Sequence, residues 1–390
     1  MPKKIVLLLD GTSNEIKTDR SNILRLYGTL KKSPEQLVYY DPGVGTFGAE
    51  TAWSKAARKG AEVWGMATGW GLDTNVLEAY DFLVNNYDID ANGLHDSIHI
   101  FGFSRGAYTA RVLAGFLHAF GIVENRNSNL VNYAYRAYKA IGEKEGKADF
   151  SELRLHERIL RPHRPSIRQL ALFDTVASVI ESGRILPRLR HHAFTANNPS
   201  VQSVRHALAI HERRSMFRAQ LWPGGQTYYP NRFNEKSSKK QDLREVWFAG
   251  VHGDIGGGYP EKESALAKYP LYWMVKETEA LGLEYKTRTV NELVLGKNPE
   301  KDYVSPDING KLHDSLKGPW NLVELVPRRR PEGSKRISMG GWTIPLGDWR
   351  AIPEDALLHR SAVDRFDLKN KRPPNIPRNH GIAEEQMPRD

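Results

Sequence analysis

Short apolar runs recur along the chain, and each predicts a buried strand. They lie at residues 4–9, 36–40, 97–101, 167–173 and 245–251. Most of these runs are followed by Asp, Ser or His beside a glycine or another small residue. Parallel strands bring their carboxyl ends to one edge of a sheet. The pattern therefore predicts a cleft at that edge, lined by these polar groups.

The segments between the runs have the apolar spacing of helices. This spacing is found at residues 72–87, 107–117 and 130–147. An alternation of apolar strands and amphipathic helices predicts an α/β fold, with a mostly parallel sheet and helices on both faces. Together with the serine motif at residues 102–106, it predicts an α/β-hydrolase-like architecture.

The chain of 390 residues is interpreted as one catalytic domain over residues 1–365, followed by a weakly ordered tail over 366–390. Residues 49–70 hold large aromatics in a Gly-rich stretch and are a candidate lid, although tryptophans of this kind also pack in cores. Residues 284–350 are polar, rich in Pro and Gly and poorly periodic, which predicts an irregular insertion.

A G-x-S-x-G motif spans residues 102–106 and places Ser104 between a predicted strand and a predicted helix. Glycines on both sides of the serine allow the sharp turn that exposes a nucleophilic hydroxyl above the sheet edge. Five residues match by chance in many chains, but the strand before and the helix after make the motif specific. We therefore predict that Ser104 is a catalytic nucleophile.

A serine nucleophile needs a histidine base and a carboxylate that orients it. In hydrolases of this architecture the chain order is Ser, acid, His, and Ser104, Asp174 and His252 satisfy it, each near the end of a predicted strand. Asp254 and His359 form a second set in the same order. The first set is favoured because the segment around His359 also has the pattern of a surface helix, and the second stays open as the alternative.

An oxyanion hole normally combines the N–H after the nucleophile with an N–H from an early strand loop. Arg105 follows the serine and supplies the first donor. Gly11 or Thr12, in the turn after the first predicted strand, is the expected second donor. The pattern contains no phosphate-binding loop, dinucleotide fingerprint or zinc-binding helix, so no cofactor and no metal are expected.

Composition narrows the function classes further. The absence of cysteine excludes thiolate catalysis and disulfides, and the net charge of +10 favours anionic partners. The basic residues are scattered without interleaved aromatics, which favours a solvated basic surface over a nucleic-acid face and leaves peripheral contact with an anionic membrane surface open. The longest aliphatic run, at residues 5–9, is too short for a membrane span, and no small-residue cleavage site accompanies it, so no signal peptide is expected. We therefore expect a protein that is cytoplasmic as synthesised, with non-classical export left open.

Six strings of the sequence together carry a resemblance to a known family; they are residues 8–12, 40–46, 79–83, 101–115, 173–176 and 246–259. They resemble a family of α/β-hydrolase domains that includes the first family of type VI secretion lipase effectors, which are bacterial phospholipases. The resemblance implies a serine esterase that acts on phospholipid acyl chains, with Ser104, Asp174 and His252 on the matching catalytic positions.

Two functions are therefore carried forward. The first is a serine hydrolase that cleaves carboxylic esters, with a lipid or other ester as substrate. The second is a non-catalytic protein of the same fold that binds acidic lipid or nucleic acid. The positive charge motivates the second, together with His211, which stands where the resembling family usually has an acid. The pattern does not address the oligomeric state.

Overall fold

The computed structural model describes residues 2–11, 20–43, 71–143, 149–176, 180–181, 188–189, 192–231, 234–329 and 338–384. The candidate lid at 49–70 lies outside these residues, as does Thr12. In the described part of the chain, no helix is both long enough and apolar enough to cross a membrane.

The centre of the fold is an eight-stranded sheet in which every neighbouring pair is parallel. The strands are β1 Lys4–Leu9, β2 Gln36–Asp41, β3 Ser97–Phe103, β4 Ile167–Phe173, β5 Val201–Ala209, β6 Asp242–Phe248, β7 Leu357–His359 and β8 Gly381–Ala383. The strand order is β8-β7-β6-β5-β4-β3-β1-β2. Because β1 lies between β2 and β3, the chain reverses its direction of progress across the sheet there, and such a switch point opens a crevice at the carboxyl edge.

Helices cover both faces of this sheet. In the part of the chain that the structure describes, they are α1 Asn22–Thr29, α2 Leu72–Asn86, α3 Arg105–Ala119, α4 Val131–Glu143, α5 Ser151–Leu160, α6 His252–Gly256, α7 Lys268–Ala280, α8 Thr287–Leu293, α9 Pro319–Val323 and α10 Arg360–Lys369. Short 3₁₀ turns lie at Asn125–Leu130, Glu235–Ser237 and Glu261–Glu263. Two-residue antiparallel ladders pair Ile180–Glu181 with Arg188–Leu189, Thr227–Tyr228 with Lys239–Lys240, and Arg328–Arg329 with Trp342–Thr343.

Strand β1 is apolar from Ile5 to Leu9, and its packing shows why. Alternate side chains point to opposite faces, so Leu7 joins the core formed with α2 and α3, whereas Val6 joins the core formed with α1 and α7. Both residues are fully buried. A strand covered on both faces needs apolar residues at consecutive positions, which is the pattern of a buried parallel sheet. The predicted α/β fold with a parallel sheet and helices on both faces is therefore confirmed.

The structure contains elements that the sequence pattern does not predict, among them α1, α5, α7 and β7. Strand β5 is not among the predicted strands, because Gln202, Ser203, Arg205 and His206 interrupt its apolar pattern. Residues 366–390, predicted as a weakly ordered tail, include the last turn of α10. They also include the edge strand β8, Gly381–Ala383, which pairs with β7. The stretch read as an irregular insertion contains α8 and α9 as well as long loops.

Candidate active site

Ser104 lies at the tight turn between β3 and α3, on the carboxyl edge of the sheet. Its backbone has φ 57° and ψ −120°, a region that non-glycine residues rarely adopt. The N–H of Ser104 donates to the carbonyl of Phe173 at the end of β4, 3.0 Å away. The strained turn is therefore held by the neighbouring strand, as expected where the surrounding structure fixes an unfavourable conformation.

Gly102 and Gly106 are required by close backbone contacts on both sides of the serine. A Cβ at Gly102 would lie 2.5 Å from Cα of Ala107, and a Cβ at Gly106 would lie 2.2 Å from the carbonyl oxygen of Leu9. Atoms of this kind do not approach so closely. The two glycines thus let α3 begin directly against β3 and the end of β1.

His252 is the first residue of α6, which begins directly after the short loop that follows β6. Its Nε2 lies 2.7 Å from Oγ of Ser104, and its Nδ1 lies 2.5 Å from Oδ2 of Asp174. Asp174 follows β4 and has a positive φ of 41°. The structure thus brings together three sequence-predicted residues from the ends of β3, β4 and β6.

The carboxylate of Asp174 is fully buried and has further donors. Its Oδ1 accepts from the N–H of Ala209 at 3.0 Å. Arg350 donates through Nη1 to Oδ1 at 2.6 Å and through Nη2 to Oδ2 at 2.9 Å. Burial would raise the pKa of Asp174, but the Arg350 charge and the hydrogen bond with His252 lower it well below its usual range.

No sequence motif predicts a role for Arg350. It lies at the end of residues 284–350, which the sequence pattern predicts to be an irregular insertion. The same guanidinium also donates to the carbonyl oxygens of Ala209 and Phe217, at 3.2 Å and 3.0 Å. The four acceptors lie on Asp174 after β4, on Ala209 at the end of β5 and on Phe217 in the segment after β5, so only the folded chain shows what the arginine binds.

The imidazole of His252 is enclosed by aromatic rings. The ring of Phe103 is centred 4.7 Å from it, and the ring of Phe217 approaches it edge-on at 5.0 Å. Burial lowers the pKa of His252 below its ordinary value of 6.5, against the opposing effect of Asp174. Because Asp174 also pairs with Arg350, less of its charge is available to raise that pKa. His252 is therefore neutral near pH 7, the form in which Nε2 accepts a proton.

Glu212, in the loop after β5, is another charged group that the sequence pattern did not single out. Its Oε2 accepts from the backbone N–H of His252 at 3.2 Å, and its carboxylate pairs with Arg214 through two contacts of 2.9 Å. Burial would raise the pKa of Glu212, but the hydrogen bonds and charge of Arg214 lower it to about 2. Glu212 thus holds the start of α6 and with it the backbone of His252.

The expected oxyanion donors have different surroundings. Arg105 is the first residue of α3, and its N–H directly follows the serine. The N–H of Gly11 donates to Oδ1 of Asp10 at 2.7 Å. The other carboxylate oxygen of Asp10 accepts from the hydroxyls of Ser21 and Tyr40. Asp10 therefore organises the turn after β1, next to the serine loop.

The alternative pair, Asp254 and His359, has other partners. Asp254 accepts from the N–H of Val251 at 3.0 Å, and its Oδ1 lies 2.6 Å from Nδ1 of His313. His359 caps α10, where its Nδ1 accepts from the N–H of Ser361, and its ring stacks on Phe248 at 4.5 Å. None of these contacts of Asp254 and His359 involves Ser104.

A family model described as "T6SS, Phospholipase effector Tle1-like, catalytic domain" matches residues 3–277. The matched part holds the serine turn, Asp174 and His252. The chain belongs to this Tle1-like family. Its members are described as phospholipase effectors, so membership supports a lipase-like hydrolase as the general class of this protein. Arg350, α9 and α10 lie beyond the matched residues.

One similar protein is "Uncharacterized protein YEL023C" of Saccharomyces cerevisiae, which is 30% identical over 245 residues. The match covers 60% of this chain and 34% of the yeast protein, so the chain spans about a third of that relative's length. A Tle1-like domain is thus similar to part of a longer eukaryotic chain.

Two solved structures are also similar. The crystal structure of an uncharacterized protein from Pseudomonas aeruginosa is 18% identical, with a TM-score of 0.40, and the match covers 74% of this chain and 47% of that one. The structure of the Tle1 effector bound to the VgrG spike from the type 6 secretion system is 19% identical, with a TM-score of 0.36, over 68% of this chain and 52% of that one.

Proposed function

We propose that this protein is a serine hydrolase that cleaves carboxylic esters, and that its substrates are the acyl esters of phospholipids. One observation carries the proposal: the Ser104 hydroxyl lies 2.7 Å from a buried imidazole, which in turn lies 2.5 Å from a buried carboxylate. This is the hydrogen-bond order in which a base activates a serine and an acid orients the base. Membership in a phospholipase family supports the choice of substrate class.

In the proposed reaction, Oγ of Ser104 attacks the acyl carbonyl while Nε2 of His252 takes the hydroxyl proton. His252 then gives that proton to the leaving alcohol as the ester C–O bond breaks, which leaves an acyl-serine. Water then attacks the acyl carbonyl while His252 takes one of its protons. His252 returns that proton to Oγ of Ser104 as the bond between Oγ and the acyl carbon breaks, which releases the fatty acid and restores the serine. Asp174 stays ionised and stabilises the imidazolium that forms in each half of the cycle.

The negative charge on the carbonyl oxygen needs N–H donors that are already in place. The proposal assigns the first to Arg105, at the N-terminus of the fifteen-residue helix α3. The second donor is the N–H of Gly11 only if that N–H breaks its hydrogen bond to Asp10 and donates to the oxyanion instead. Thr12 is the other expected donor.

A fluorophosphonate probe tests the proposal directly, because the probe reacts with an activated serine and not with an ordinary hydroxyl. We expect the wild-type protein to be labelled and Ser104→Ala to be unlabelled. We also expect Ser104→Ala to lose several orders of magnitude in turnover of a short-chain ester, as serine hydrolases do on losing their nucleophile. The matched control is Ser97→Ala, at the start of the same strand. An unlabelled wild-type protein that binds acidic lipid or nucleic acid would overturn the enzymatic function.

A further inference from the structure

Large hydrophobic side chains are exposed on one segment close to the candidate active site. In the described part of the chain, fifteen large hydrophobic residues are exposed, and six of them lie between residues 322 and 344. Their exposed fractions run from 45% to 85%. Monomeric proteins rarely leave such a concentration of apolar surface in water unless it contacts something. We call this surface the apolar rim; it consists of Leu322, Leu325, Val326, Met339, Trp342 and Ile344.

Local contacts bring the two halves of the apolar rim together. Helix α9 carries Leu322, and the ladder of Arg328–Arg329 with Trp342–Thr343 returns the chain towards it. The N–H of Leu346 then donates to the carbonyl of Glu324 at 3.1 Å, and the side chain of Arg328 donates to the carbonyl of Val323 at 3.1 Å. The described residues of the rim therefore lie on a helix, on the segment that follows it and around an antiparallel two-residue ladder that hydrogen bonds hold next to that helix.

Two aromatic contacts connect this surface to the candidate base. The ring of Trp320, in α9, meets the ring of Phe217 edge-on at 5.3 Å, and Phe217 meets His252 at 5.0 Å. The guanidinium of Arg214 covers Phe217 at 3.6 Å and Trp320 at 5.1 Å. The rim thus adjoins the wall of the site.

The segment that carries the rim has a positive net charge. Arg218, outside this segment, is exposed, and its pKa is lowered by burial of part of the side chain and then by the like charge of Arg328, whereas the charges of Glu324 and Asp348 act in the opposite direction. From residue 319 to 346 the sequence holds five basic residues and two acidic ones, a net charge of +3. Apolar side chains flanked by arginines are typical of surfaces that enter the headgroup region of anionic membranes.

We propose that the apolar rim, together with the exposed Arg218, docks the protein on an anionic phospholipid surface. The apolar side chains enter the boundary between headgroups and acyl chains, while Arg218 contacts a lipid phosphate. Docking of this kind presents membrane esters to the neighbouring serine without extraction of the lipid into water. The inference rests on the proposed function, since it assigns the surface from which that site takes its substrate.

Co-sedimentation with vesicles tests the proposal without any need for catalysis. The wild-type protein is compared with Leu322→Asp/Leu325→Asp on vesicles of phosphatidylglycerol and phosphatidylcholine, and on phosphatidylcholine alone. We expect binding to the anionic vesicles that falls by about tenfold or more in the rim variant. The control is Leu94→Asp/Leu368→Asp, whose leucines are 54% and 58% exposed outside the rim and whose binding should equal that of the wild type.

A soluble short-chain ester separates docking from chemistry. We expect the rim variant to hydrolyse it at the wild-type rate and to lose activity only on vesicles. The proposal is overturned if the wild-type protein and the rim variant bind anionic vesicles equally well. It is also overturned if the wild-type protein binds neutral vesicles as strongly as anionic ones. The proposal is also overturned if the wild-type protein binds no vesicles but self-associates, and the rim variant does not self-associate. In that case the rim would contact a second copy of the chain. Absence of soluble esterase activity would instead refute the proposed function and leave the vesicle result to be judged on its own.

Discussion

Arg350 binds both carboxylate oxygens of Asp174, at 2.6 Å and 2.9 Å, although 176 residues separate the two in the chain. The pair is buried, and the arginine also donates to the backbone carbonyls of Ala209, at the end of β5, and of Phe217, in the segment that follows β5. Asp174 is thus held from one side by Arg350 and from the other by His252. The arginine therefore orients the carboxylate, and its positive charge weakens the effect of that carboxylate on the pKa of the imidazole.

Arg350→Lys should therefore lower kcat by about 10²-fold, the scale expected when a catalytic group is misplaced by about an ångström. Lysine keeps the positive charge but cannot make the planar two-pronged contact. Because Asp174 then interacts more strongly with His252, the pKa of the base should rise, and the acidic limb of kcat/KM should move to higher pH. A purely structural role for Arg350 would leave the pH profile in place.

Arg350→Met should cost more stability than Arg350→Lys, because it leaves a buried carboxylate without its cation. Breaking a buried ion pair in this way costs about 3–5 kcal/mol. Denaturant unfolding of both variants measures the difference. Equal free energies of unfolding for the two variants would contradict the importance of the charge.

The pH dependence of activity should reflect the lowered pKa of His252. A base must be neutral, so kcat/KM rises as the pH increases through the pKa of the free enzyme. Since burial places this pKa below the ordinary 6.5, the half-maximal point of the acidic limb should fall below pH 6.5. Measurement with a soluble ester avoids changes in vesicle charge. A midpoint above pH 7 would mean that Asp174 outweighs burial.

Asp174→Asn and Asp254→Asn distinguish the two acids that the sequence left open. Asp174→Asn should lower kcat by about 10⁴-fold, because the amide no longer stabilises the imidazolium and favours the wrong tautomer. Asp254→Asn should stay within about tenfold of the wild type, because Asp254 contacts His313 and the backbone near α6. Thermal melting of both variants checks that they fold. The reverse order of losses would move the acid role to Asp254.

Gly106→Ala should disrupt the turn between β3 and α3. The added Cβ would meet the carbonyl oxygen of Leu9 at 2.2 Å, and that oxygen belongs to a buried strand that cannot move aside. Overpacking of this kind costs about 1–3 kcal/mol or more. Gly224→Ala is the control, because nothing lies within 4 Å of its added Cβ. A wild-type melting temperature for Gly106→Ala would refute the close approach of α3 to β1.

Local patterns in the sequence were sufficient for the central strands and for the serine turn. Runs such as 5–9 and 170–173 are apolar at consecutive positions because both faces of the sheet are covered there and every side chain of these runs is buried. The glycines around Ser104 are required by their immediate neighbours, so a five-residue motif carries the information. The order of Ser104, Asp174 and His252 could likewise be predicted, because each follows an apolar run.

Long-range packing determined the rest. Polar residues conceal β5 in the sequence, and its pairing with β4 and β6 is what brings Glu212 to the backbone of His252. The contacts of Asp254 with His313, and of His359 with Phe248, depend on segments far apart in the chain, so the sequence left both triads open. Arg350 lies in a loop without periodicity. A sequence pattern records which face of its own element a residue occupies, whereas the partner of a buried charge depends on which distant loops the fold brings to the same edge of the sheet.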